Sequence, residues 1–182
     1  MAKFVSISTF RARHAALLKE KRGVYSGVTE EICLAFKDAT IEQIRHNRDM
    51  ILLSNEAVVI KLRLPDKKQR LSKADGYRLI YLVLKQLPVV VLPDIYPKRG
   101  PSQQLDIDNN EINRLIQEFY AELIAGTLVE HDINNHLKEK PKGNTLLPSY
   151  ILHQNLSTII HQPIPAIILS ILAIIPRILA KI

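Results

Sequence analysis

A chain of 182 residues with 47% apolar and 24% charged positions is long enough to bury one sizeable core and to carry an appendage. Its single cysteine, Cys33, excludes an internal disulfide and a cysteine-based zinc site, which fits a reducing, cytosolic setting. The formal charge of +7 points to a polyanionic partner, and the placement of that charge matters more than its total.

Residues 3–8 alternate and carry the β-preferring Phe4, Val5 and Ile7, which predicts a short strand. Thr9 then caps a helix whose Phe10, His14, Leu17 and Leu18 share a face, with Gly23 as the stop after Lys19, Lys21 and Arg22. His14 reads as a packed histidine, because no second His, Cys or carboxylate stands at a ligand spacing from it. A second helical segment over 29–36 aligns Val28, Ile32, Ala35 and Phe36. Thr40, with Gln43 three residues on, has capping-box form and opens a third helix through Ile41 and Ile44 to about Arg48.

Residues 50–54 are a short apolar run, Asn55 and Glu56 a turn, and 57–64 a strand, together a hairpin. In that strand Val58, Ile60, Leu62 and Leu64 share one face, while Lys61 and Arg63 share the other with Val59. Two cations therefore project from the open face of a sheet. A cationic loop follows at 65–75, and residues 61–78 set Lys61, Arg63, Lys67, Lys68, Arg70, Lys73 and Arg78 against only Asp66 and Asp75. Residues 76–84 form a nearly continuous apolar strand, as in a central position, with Arg78 its one interior charge. That charge must reach water or an anion at the strand end.

Leu87 and Pro88 turn into a strand over 89–96, where Pro93 marks an edge or a bulge, and Lys98 and Arg99 follow at once. Asp108 with Glu111 gives a second capping box. Ile112, Leu115, Ile116, Phe119 and Leu123 then stripe a helix that ends near Gly126. The predicted fold class is α+β, a small antiparallel sheet with helices packed on one face, over residues 1–126.

Residues 127–150 read as a polar linker and 151–182 as an apolar C-terminal extension. His131, His136, His153 and His161 lack a metal-site rhythm and read as surface residues. The apolar run 166–175 falls short of the roughly 18 residues of a span. It predicts a short helix that docks on the body, a partner or a membrane surface through residues 166–182. The first residues lack an apolar leader with a cleavage site, which predicts a cytoplasmic protein.

The runs KLRL (61–64), GYRLIYLV (76–83), VVVLPDIYPKR (89–99) and the capped EINRLIQEF (111–119) resemble the RelE/ParE superfamily of bacterial type II toxins. The resemblance covers roughly residues 3–125 and is strongest over 61–99. It implies a toxin that enters the ribosomal A site and cleaves mRNA there, through 2′-hydroxyl attack on the adjacent phosphate, held inactive by an acidic cognate antitoxin. No metal or other cofactor is implied. By the same resemblance Lys61, Arg63, Arg78 and Arg99 would surround the scissile phosphate, while Lys67, Lys68, Arg70, Lys73 and Lys98 would hold the RNA. Lys61, crowded by other cations, is the candidate base. The tyrosine that some RelE members place shortly after the last Arg is absent from residues 101–105, and neither Tyr96 nor Tyr120 matches its position. The alternatives are a ParE-like gyrase poison that acts by binding alone, and an inactive RNA-binding relative.

Overall fold

The computed structural model describes residues 2–53 and 57–133. In chain order these form β1 (Lys3–Ser6), α1 (Ser8–Leu18), a 3₁₀ turn (Lys21–Gly23), α2 (Val28–Phe36), α3 (Ile41–Arg45), β2 (Met50–Leu53), β3 (Ala57–Leu64), β4 (Tyr77–Leu84), β5 (Val89–Pro97), α4 (Asn109–Ala125) and β6 (Val129–His131). The class is α+β. The strands join in one six-stranded sheet of order β2-β3-β4-β5-β1-β6.

The sheet departs from the expected antiparallel one in a single pairing. β2 to β5 are an antiparallel meander, but β1 lies parallel to β5, Lys3 against Val89 through Ser6 against Leu92. The meander leaves the outer edge of β5 unpaired, and β1, separated from it by three helices and three strands, supplies the long crossover that a parallel pair needs. β6 then covers β1 antiparallel, Phe4 against His131. The folded body thus continues past Gly126. His131, expected at the surface, packs edge-on against Phe10, with Nε2 2.7 Å from Ser6 Oγ. Ile133 is buried beyond it. The apolar extension, including 166–182, and the turn at 55–56 lie outside the described residues.

Helices occupy both faces of the sheet, not one. On the first face Phe10 and Leu17 of α1, Ile32 and Phe36 of α2 and Ile44 of α3 pack on Val58, Ile60, Leu64, Leu79, Tyr81 and Val83. On the second, Ile112, Leu115 and Phe119 of α4 pack on Val59, Ile80, Leu82 and Val91. A strand covered on both sides has no solvent side to mark with polar residues, which is why β4 reads as an almost unbroken apolar run. His14 stacks on Phe10 at 5.6 Å between ring centroids, as a packed histidine.

Local signals set the boundaries. The Thr40 and Gln43 capping box is complete, at 3.3 and 2.9 Å. Asp108 accepts from the Glu111 N–H at 2.9 Å, although the Glu111 carboxylate turns to Arg114 and leaves the reciprocal half unmade. Gly126 ends α4 in the left-handed conformation (φ 68°), where glycine carries no Cβ penalty. The N-terminus of α1 is capped in trans: Glu118 accepts from Thr9 N at 2.9 Å and Thr9 Oγ1 at 2.7 Å, and Glu122 accepts from Ser8 N at 2.6 Å. Pro93 sits in a bulge, where Ile80 opposes Asp94 but Leu82 opposes Val91.

Beside that bulge Asp94 is fully buried in β5, with Arg13 Nη1 2.9 Å from Oδ2 and the Ile95 N–H donating to Oδ1 at 2.8 Å. Burial outweighs both contacts and pushes its carboxyl up to about 6. A folded pKa above the ordinary value of 3.8 means that the native state keeps a proton the unfolded chain has lost. This group's stabilisation is therefore full below the ordinary value and is lost as pH rises through about 6. Asp94→Asn is expected to remove a decline of about 2–3 kcal/mol between pH 4 and 7, seen as the difference between wild-type and variant urea melts across that range. Parallel stability curves would refute it.

Candidate anion-binding site

The site grows from the pairing of β3 with β4. Arg63 stands opposite Arg78, Lys61 opposite Ile80, and Arg78 in turn opposite Tyr96 of β5, so these side chains share the second face of the sheet. No residue of α4 joins Lys61, Arg63 and Arg78 in lining the cavity there. Like charges directly opposite on a sheet repel, and Arg78 finds compensating partners of its own. Arg78, only 8% exposed, lays its guanidinium along the end of the loop, with Nη1 donating to the carbonyls of Lys73 (3.1 Å) and Tyr77 (3.2 Å) and Nη2 to that of Ala74 (2.7 Å). Arg63 is exposed. The lone charge in β4 was expected to need water or an anion, but three carbonyls meet it first. These bonds engage three of the five guanidinium N–H groups and hold the fork rigid.

The loop that supplies those carbonyls is fixed from within. Asp66, 1% exposed, accepts from Gln69 N at 3.1 Å and Gln69 Nε2 at 2.7 Å, and its backbone bridges to Leu71. At the far end the Gly76 N–H donates to Ser72 O (2.8 Å) while Gly76 O accepts from Lys98 N (2.9 Å). One residue thereby ties the loop, β4 and the end of β5 together.

Lys61, Arg63 and Arg78 line a cavity of about 260 Å³, completed by Arg48, Asp49, Met50 and Ile51 at the start of β2 and by Asp106. Asp106 is the group the sequence reading missed. Its Oδ1 lies 3.4 Å from Lys98 Nζ and 4.0 Å from Lys61 Nζ, and accepts from the Tyr96 hydroxyl at 3.2 Å. Burial alone would raise its carboxyl, but Lys61, Lys98 and the hydrogen bonds together outweigh it and hold the group below its ordinary value. Burial pushes the Tyr96 hydroxyl up, so it stays a donor. Asp106, 4.0 Å from the Lys61 ammonium, thus sets an anion among the arginines that surround this candidate base.

The other predicted residues are not brought together here. Arg99 turns away to Asp75 (Nε to Oδ1 3.1 Å) and lies outside the cavity lining. Lys67 pairs with Glu31 of α2 at 3.4 Å, and Lys68 runs along Gly27 at the start of that helix, on the first face of the sheet. Arg70 and Lys73 are exposed on the loop. Among the described residues no group of His, Cys, Asp and Glu is placed to hold a metal ion, and no helix is long and apolar enough to cross a membrane. Comparison with family models, with curated proteins and with solved structures finds no match.

Proposed function

We propose that this chain is the toxin of a type II toxin-antitoxin system, a RelE-like member of the RelE/ParE superfamily that cleaves mRNA on the ribosome. The observation that carries the reading is the convergence of Lys61, Arg63 and Arg78 on one cavity at the open end of the sheet. A phosphodiester seated there meets ammonium and guanidinium groups from two strands. As the 2′-hydroxyl attacks, charge builds on the phosphorane oxygens, and donors already held in place stabilise it without reorganising. Arg78 is the most rigid of these donors, because its carbonyl cradle fixes the plane of its fork.

Lys98 flanks the cavity, and the exposed loop cations Arg70 and Lys73 would add longer-range attraction for the RNA backbone, whereas Lys67 and Arg99 are paired with Glu31 and Asp75. An acidic antitoxin would cover the same charges in the cytoplasm. The gyrase-poison alternative needs only a binding surface. Cations gathered around a cavity with a carboxylate among them fit chemistry better.

Induced expression is expected to arrest growth within one generation and to produce mRNA cut within codons, read as new RNA 5′ ends. Arrest with intact mRNA and accumulated gyrase–DNA cleavage complexes would overturn the nuclease reading in favour of the binding one.

A further inference from the structure

We infer that Asp106 is the general base of this site and takes the proton from the attacking 2′-hydroxyl, an assignment that rests on the nuclease reading above. The cavity needs a group that can accept a proton, and its arginines cannot, since a guanidinium offers donors only. Tyr96 cannot either: its buried hydroxyl points its own proton at Asp106. The other lining carboxylate, Asp49, forms no ion pair with these cations among the described residues. Asp106 alone combines a lining position, contact with two lysines and a side chain 54% exposed, open to an incoming ribose. Its lysine partners hold it ionised at neutral pH, as a base must be before the reaction.

The step balances without a co-reactant. Asp106 removes the 2′-hydroxyl proton as the 2′-oxygen bonds to phosphorus, and the bond from phosphorus to the 5′-oxygen breaks. The Lys61 ammonium gives the leaving 5′-oxygen its proton. The products are a 2′,3′-cyclic phosphate and a 5′-hydroxyl, and the proton on Asp106 returns to Lys61 through solvent.

The experiment uses the full chain on ribosomes programmed with a defined mRNA, in single turnover, alongside binding of a fluorescent RNA oligonucleotide. Asp106→Asn is expected to slow cleavage by about 10²–10⁴-fold while oligonucleotide binding holds or tightens, since a negative charge has left a phosphate site. Asp106→Glu should recover part of the rate. Wild-type cleavage should be flat in pH above the ordinary carboxylate range and fall below it, whereas residual Asp106→Asn cleavage should climb with pH as hydroxide does the work. An Asp106→Asn protein that cleaves at the wild-type rate overturns the assignment and leaves the nuclease reading standing. One that loses binding together with cleavage overturns it too, by making Asp106 an organiser of Lys61 and Lys98. Wild-type protein that leaves the mRNA uncut removes the nuclease reading first, and this assignment with it.

Discussion

Alanine at Gly76 is expected to destabilise the protein by about 3–5 kcal/mol, because the added methyl would meet main chain on every side. The backbone there is not left-handed, so the reason is space alone. A Cβ at Gly76 would strike the carbonyl oxygen of Leu64 and stand 2.8 Å from both the Asp66 nitrogen and the Pro65 carbonyl carbon. All three are main-chain atoms at the point where β3 enters the loop, and no side-chain rotation relieves them. Any shift would move β3 against β4 and break the run from Ser72 through Gly76 to Lys98. Urea melts check the expectation, and a cost below about 1 kcal/mol would refute the close approach.

The second large effect is at Arg78. On the proposed nuclease reading, Arg78→Ala is expected to lower cleavage on ribosomes by about 10²–10³-fold and to end growth inhibition. It is also expected to cost about 1–3 kcal/mol of stability, because the carbonyls of Lys73, Ala74 and Tyr77 lose their donors. Arg78→Lys keeps the charge, but a single ammonium cannot span three carbonyls as a planar fork does, so its activity should fall close to that of the alanine variant. Cleavage assays paired with melts separate the two contributions. A fully toxic Arg78→Ala would remove Arg78 from the reaction altogether.

Much of this fold is written locally and could be read without coordinates. Thr40 and Gln43, Asp108 and Gly126 mark helix ends through their own hydrogen bonds or backbone preferences, and each acts where expected. The alternation in β3 correctly divides Ile60 and Leu64 from Lys61 and Arg63. What escaped the reading depends on partners distant in sequence. Nothing near Val129 says that residues 129–131 will cover β1, because that strand exists only through its pairing. The apolar stripe of α4 does not say which face of the sheet it will cover. Continuous apolar β4 was read as central, yet the same pattern also meant a second covered face, and with it α4 on that side.

The site was legible to the same extent. Lys61, Arg63 and Arg78 share a strand pairing, so alternation and register bring them together. Asp106 stands in an extended loop with no period or motif around it. Only the position of Tyr96 and Lys98 at the end of β5 makes it part of the cavity. Arg99 shows the reverse: the family resemblance placed it in the site, but its guanidinium goes to Asp75.

The trans cap on α1 sets an order of events during synthesis. The carboxylate that closes the first turn of α1 lies 110 residues downstream, on a helix that packs against the opposite side of the sheet. A chain emerging from the N-terminus outward therefore carries α1 with its leading N–H groups open until α4 has been made and docked. Among the described helices, the last fastens the first.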